Sequence, residues 1–81
     1  MPRLSSKIDK DKKLVRVGAA IRTKRKEAGI SQEALASISG VERSNMGKIE
    51  RGENNLSLLN LIRITDALGC KAVDILGIAD L

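Results

Sequence analysis

The chain contains no phenylalanine, tyrosine, tryptophan or histidine, and only one cysteine and one proline. Without aromatic residues, the hydrophobic core has to be built from Leu, Ile, Val, Ala and Met. One cysteine cannot form an internal disulfide, which is typical of proteins in a reducing compartment. Metal binding and nucleophilic catalysis lack the His and Cys side chains on which they usually depend. We therefore expect no metal, no cofactor and no enzymatic activity.

Long apolar runs are also missing. No stretch reaches the roughly 18 apolar residues of a membrane span, and no apolar stretch follows the basic N-terminus MPRLSSKIDKDKK as it would in a signal peptide. The 81 residues, 42% of them hydrophobic, predict one soluble cytoplasmic domain over residues 1–81 with no membrane partner. Residues 1–10 are expected to form a flexible or partly helical extension. A core of this size contributes only about 3–5 kcal/mol, so self-association would stabilise it.

The net charge of +5 is unevenly distributed along the chain. Residues 1–26 hold ten Lys and Arg against two acidic residues, which gives +8, and residues 27–81 hold five against eight, which gives −3. Such asymmetry fits a polyanionic partner, either nucleic acid or an anionic membrane surface. A solvated helix face produces the same pattern, so charge alone leaves these alternatives open.

Apolar residues recur at helical spacing in five segments, which predicts a small all-α bundle. The first helix should end near Ala28, with Gly29 as its C-terminal stop. Ser6 and Asp9 form a candidate capping box that would start this helix near Lys7. The apolar face of the first helix consists of Leu14, Val17, Gly18 and Ile21.

Serine caps and glycine stops mark the later helices. The predicted limits are Ser31 to Gly40 for the second helix, Arg43–Arg51 for the third, Ser57 to Gly69 for the fourth and Ala72–Leu76 for the fifth. The residues of the fourth helix expected to face the core are Leu58, Leu61, Ile64, Thr65 and Leu68. Cys70 follows a helix stop in an apolar segment, so we interpret it as a packing residue rather than a reactive thiol.

Residues 32–51 have the spacing of a helix-turn-helix. Two helices joined by a short turn crowd each other at the inside corner, so a small residue such as Ala36 suits the first helix. Gly40 supplies the positive φ that the turn needs. Met46 and Ile49, three residues apart, then bury the inner side of the second helix. Four such residues in register are a strong signal for this motif.

Burial of Met46 and Ile49 predicts that residues 43, 44, 47 and 48 face outward, with Asn45 at the edge. In a helix-turn-helix the second helix lies in the major groove of DNA. There an arginine suits guanine, an asparagine suits adenine, and a serine is permissive. An ordinary solvated helix surface is the alternative interpretation.

The segment IRTKRKEAGISQEALASISGVERSNMGKIERG, followed by NLSLLNLIRITDALG, resembles the Cro and lambda-repressor-like (XRE) family over about residues 14–77. Within that family, VERSNMGKIERGENNLSLLNL is most similar to the controller proteins of restriction–modification systems. The resemblance implies a five-helix DNA-binding domain of bacterial or phage origin. It further implies a homodimer that binds palindromic double-stranded operators and regulates transcription, with RNA polymerase as a further partner. Phage-type repressors, antitoxins and protein-interaction modules of the same fold stay open as alternatives.

The resemblance also implies roles for individual residues. The base-reading residues it implies are Arg43, Ser44, Asn45 and Lys48. The implied contacts to the DNA backbone are Ser31, Gln32, Arg51, Asn54 and Asn55. Arg25 and Glu50 are implied to form a structural ion pair. Gly47, Asn45 and Ser39 depart from the family pattern, so the operator sequence is not predicted.

The C-terminal third carries more apolar residues than a five-helix monomer of this size is expected to cover. A contiguous exposed apolar patch usually marks an interface, and a dimer would place two recognition helices in successive major grooves. The residues expected at the dimer interface are Leu59, Ile62, Val73, Ile75, Leu76 and Ile78.

Overall fold

The computed structural model describes residues 12–81, and within this range the chain forms five α-helices. In chain order they are α1 (Lys13–Glu27), α2 (Gln32–Ser39), α3 (Arg43–Arg51), α4 (Leu58–Leu68) and α5 (Ala72–Ile78). The predicted all-α, five-helix architecture is confirmed. Helix α1 begins at Lys13, after Lys12 in a left-handed conformation with a φ of 57°, so the predicted start near Lys7 is wrong. The candidate capping box at Ser6 and Asp9 and the extension over 1–10 lie outside the described residues. Over 12–81, no helix has the length and apolar character that crossing a membrane requires.

Caps in the sequence set several helix ends. The side chains of Ser31 and Ser57 accept hydrogen bonds of 3.0 Å from the backbone N–H groups of Ala34 and Asn60, at the starts of α2 and α4. Each bond satisfies an amide that has no acceptor within its own helix. Gly40 ends α2 with a φ of 79°, a left-handed conformation that a β-carbon disfavours. The turn between α2 and α3 therefore has the glycine that its backbone requires.

The core is formed where α1 packs on α3 and α5, and where α2 packs on α3 and α4. The largest fully buried side chains are Ile21, Leu35, Met46, Ile64, Thr65 and Ile75. Cys70 is half-buried against this core, and burial raises the pKa of its thiol. The thiol therefore stays protonated at neutral pH, which fits a packing residue better than a nucleophile.

Several apolar residues of α4 and α5 lie elsewhere than predicted. Leu58, expected to face the core, is 69% exposed, and Leu56 before α4 packs against the core in its place. Ile75, expected at a dimer interface, is fully buried, and Leu76 packs against the core, because α5 turns this side toward α1. Helix α5 also extends to Ile78 rather than ending at Leu76. The expected interface residues that are exposed are Leu59, Ile62, Val73 and Ile78.

Arg16 fixes the end of the chain onto α1. Its Nε and Nη2 atoms donate to the backbone carbonyl oxygens of Ala79 and Asp80, at 3.0 and 2.7 Å. Part of the positive charge in residues 1–26 therefore holds the fold together and does not indicate a polyanionic partner.

Helices α1 and α3 approach closely at Gly18. A β-carbon on Gly18 would lie under 3.0 Å from the backbone carbonyl oxygens of Ile49 and Glu50. Real β-carbons do not come so near to backbone oxygens, so a larger residue would force α3 away from α1.

A buried ion pair joins the same two helices. Arg25 donates from Nε and Nη2 to the two carboxylate oxygens of Glu50, at 2.7 and 3.0 Å. The two side chains are only 11% and 3% exposed. The hydrogen bonds to this carboxylate raise the pKa of Arg25 above its ordinary value, so the guanidinium stays charged. Gln32, at the start of α2, donates from Nε2 to the same carboxylate at 3.1 Å.

Glu50→Gln should lower the free energy of unfolding by roughly 3–5 kcal/mol, since it leaves the buried Arg25 without its counter-charge. Thermal denaturation followed by circular dichroism measures the change. Glu53→Gln is the matched control, because it removes the same charge from an ion pair with Arg51 whose side chains are 58% and 53% exposed. The control should melt close to the wild type, as exposed pairs contribute little. A Glu50→Gln protein that melts at the wild-type temperature would show that this pair does not hold α3.

Candidate nucleic-acid interface

Helix α3 buries one side and presents the other to solvent. Met46 and Ile49 are buried as predicted. Their burial leaves Arg43, Ser44 and Lys48 exposed along the opposite side. The helix therefore presents two cations and a hydroxyl to solvent, and we call these three residues the α3 donor row because each carries an N–H or O–H group.

Two members of the α3 donor row contact acidic side chains of the protein. Arg43 Nη1 lies 3.0 Å from Glu33 Oε2, and both side chains are exposed. Ser44 Oγ donates to Glu42 Oε1 at 2.6 Å. Exposed ion pairs of this kind are weak because water competes for both partners. A ligand that offers stronger acceptors can therefore displace Arg43 from Glu33.

Asn45 lies at the edge of this surface and is half-buried. Its side-chain carbonyl oxygen accepts a hydrogen bond of 2.7 Å from Nδ2 of Asn54, in the segment after α3. This contact orients the amide of Asn45 and leaves its own NH₂ group as a donor. Asn55, the next residue, is exposed.

Gly47 departs from its predicted outward orientation. It is buried, because the side chains of Arg51 and Gln32 lie over it. A β-carbon on Gly47 would stand 3.1 Å from Nη1 of Arg51 and 3.4 Å from Oε1 of Gln32. The missing side chain at this position makes room for a contact between the start of α2 and the end of α3.

The residues expected at the DNA backbone lie at the start of α2 and the end of α3. Ser31 is the cap of α2. The side chain of Gln32 contacts Glu50 rather than pointing away from the protein, but its backbone N–H belongs to the helix N-terminus, which attracts anions. Arg51 is exposed and donates to both carboxylate oxygens of Glu53, at 2.9 and 3.2 Å. These contacts raise the pKa of Arg51 and lower that of Glu53, so both groups are charged at neutral pH.

Arg22 is a further basic residue at this surface, and the sequence analysis predicts no role for it. It is exposed and lines a cleft between α1, α2 and α3 together with Gln32 and Arg51. The floor of the cleft is the ion pair of Arg25 and Glu50. Two exposed guanidinium groups beside a helix N-terminus suit a phosphate. The available signal was the spacing from Arg22 to Arg25, which places both on one face of α1.

This surface offers hydrogen bonds and positive charge. Its central groove is lined by Gln32, Glu42, Arg43, Ser44, Gly47, Lys48 and Arg51. Within the described part of the chain, no three or more Cys, Asp and Glu residues are grouped as a metal site. Side chains of this kind bind base edges and phosphate oxygens.

Relatives of known sequence share this region. A helix-turn-helix family model matches residues 21–75. The control protein C.SmaI of Serratia marcescens is 44% identical over 48 residues, which are 59% of this chain and 57% of that protein. An HTH-type transcriptional regulator of Methanothermobacter thermautotrophicus is 40% identical over 60 residues, 74% of this chain and 87% of that protein. The match covers only 57% of the Serratia protein and 48% of a Haemophilus influenzae HTH-type regulator.

Two solved structures share the fold over most of the chain. The restriction-modification controller protein C.AhdI from Aeromonas hydrophila is 40% identical, with a TM-score of 0.75 over 76% of this chain and 94% of that one. The clp gene regulator ClgR from C. glutamicum is 31% identical, with a TM-score of 0.81 over 84% of this chain and 87% of that one. The motif, the fold and these matches show that the chain belongs to the Cro and lambda-repressor-like (XRE) family of helix-turn-helix proteins.

Proposed function

We propose that the chain is a sequence-specific DNA-binding transcription regulator of the restriction–modification controller type. It acts in the cytoplasm as a homodimer on palindromic operators, where RNA polymerase is the further partner that regulation requires. The observation that carries this proposal is the α3 donor row, exposed on a helix that Glu50 fixes to α1 and α2. The controller type is supported by the likeness to C.SmaI and C.AhdI.

The α3 donor row supplies the base contacts. Arg43 stands in the first turn of α3, and its guanidinium can donate two parallel hydrogen bonds to guanine O6 and N7 once it leaves Glu33. Lys48 is also exposed, one turn of α3 after Ser44. Asn45, at the edge, offers its free NH₂ group to a neighbouring base or phosphate.

Phosphate contacts fix the position of α3 in the groove without carrying sequence information. Arg22 and Arg51 flank the cleft at the N-terminus of α2, where Ser31 and the backbone N–H of Gln32 lie. Asn54 and Asn55 follow α3, and we assign them to further phosphate contacts. The positive charge that faces DNA therefore comes from α1 and α3 together.

The dimer contact is assigned to α4 and α5, which pack side by side. Leu59 and Ile62 are exposed and three residues apart on α4, so they share one face. Val73 and Ile78 are exposed on α5. Ile75 and Leu76 pack in or against the core and are therefore left out of this surface. We expect a dimer through this surface to place its two α3 helices in successive major grooves, about 34 Å apart, as dimeric helix-turn-helix proteins do.

Arg43→Ala should weaken binding to the selected operator by roughly 1–3 kcal/mol and relax the preference at one base pair in each half-site. The reason is the loss of two parallel hydrogen bonds from the guanidinium to guanine. Selection from a randomised duplex library compares the two consensus sequences. Lys71→Ala, which removes an exposed positive charge at the start of α5, is the control and should keep the wild-type consensus. An unchanged consensus for Arg43→Ala would contradict the assignment.

The wild type should sediment at equilibrium with about twice its chain mass of 8.7 kDa at micromolar concentration. Ile62→Asp and Val73→Asp should shift it toward the monomer, because each places a charge in an apolar contact. Ile38→Asp changes an exposed isoleucine on α2, outside the proposed interface, and should leave the mass unchanged. A wild type that stays at the monomer mass at all concentrations, yet binds its operator tightly, would refute the dimer.

A further inference from the structure

Glu42 occupies the N-cap position of α3 without capping it. A cap residue usually accepts a hydrogen bond from a backbone N–H of the first turn, and Ser, Thr, Asp and Asn are the side chains that do this well. The carboxylate of Glu42 accepts instead from the hydroxyl of Ser44, at 2.6 Å. The helix dipole favours a negative charge at this end, but it does not explain why the carboxylate turns toward Ser44.

The contact changes what Ser44 can offer to another molecule. A serine hydroxyl has one proton and two lone pairs. Ser44 gives its proton to Glu42, so only lone pairs of its oxygen remain, and an ionised carboxylate is also an acceptor only. Glu42 and Ser44, both exposed, therefore form an acceptor pair. Beside it stands Arg43, which only donates.

We propose that the acceptor pair of Glu42 and Ser44 reads an exocyclic amino group in the major groove, cytosine N4 or adenine N6. The base lies next to the one that Arg43 reads. This inference rests on the proposed function, because it requires the first turn of α3 to lie against base edges.

The chemistry of the major groove gives the pair its selectivity. The amino groups of cytosine and adenine are the donors that bases present there, whereas guanine O6 and thymine O4 are acceptors. With thymine or guanine at the same position of the strand, O4 or O6 would face the carboxylate. Both groups are acceptors, so no hydrogen bond could form between them. Because the carboxylate has also lost water, this mismatch is costly. Glu42 thus favours two bases and disfavours the other two.

The test compares wild type and Glu42→Gln on a randomised duplex library, then on fluorescein-labelled sites that differ at single base pairs. The wild type should select, in each half-site, a cytosine or adenine next to the guanine that Arg43 reads. Glu42→Gln keeps the size of the side chain and replaces one acceptor oxygen with an amide donor, so thymine and guanine become acceptable. Discrimination at that position should fall roughly five- to hundredfold. Ser44→Ala should relax the same position.

Glu53→Gln is the charge-matched control, since it removes one exposed carboxylate near α3. It should raise affinity for any DNA about as much as Glu42→Gln and leave the consensus unchanged. If Glu42→Gln behaves like this control, Glu42 only repels phosphates, and the inference is overturned while the proposed function stands. A wild type that selects no consensus at all would overturn the proposed function and the inference with it.

Discussion

The orientation of α3 depends on one buried carboxylate. Glu50 lies near the C-terminal end of α3 and accepts hydrogen bonds from Arg25 on α1 and Gln32 on α2. Burying a carboxylate without such partners would cost several kcal/mol, so these bonds favour the arrangement of the three helices in which all of them form. The position of Arg43, at the other end of α3, follows from this constraint.

Two glycines make the same arrangement sterically possible. Gly18 lets α1 approach the backbone of α3 at Ile49 and Glu50, and Gly40 gives the left-handed turn between α2 and α3. The core has no aromatic side chain to fill larger gaps, so the helices have to pack closely on Leu, Ile, Val, Ala and Met. Close packing and the polar contacts of Glu50 therefore act together to fix one geometry.

The sequence predicts the parts of this structure that depend on spacing. The caps at Ser31 and Ser57, the turn at Gly40 and the buried side of α3 follow from residue type and period. The inward side of α5 does not, because AVDILGI is apolar on nearly every face, and no period distinguishes the buried Ile75 from the exposed Val73. Leu58 and Leu59 at the start of α4 are ambiguous for the same reason, because both are apolar and the period does not show whether either faces the core.

The candidate site is less predictable than the fold. Gly47 has no side chain to reveal its orientation, so its cover by Arg51 and Gln32 appears only in the structure. The ion pair of Arg25 and Glu50 is implied only by the family resemblance, since nothing local links residues so far apart in sequence. Contacts between neighbouring exposed side chains depend on rotamers that residue spacing does not determine. Only the structure shows which partners these side chains take.

The most direct test of the account is whether α3 enters the major groove. Dimethyl sulfate methylates guanine at N7, an atom of the major groove, and adenine at N3 in the minor groove. On DNA selected by the wild-type protein, bound protein should protect guanine N7 in two successive major-groove segments about 34 Å apart on one side of the duplex. Unchanged methylation at guanine N7, together with protection at adenine N3, would contradict it.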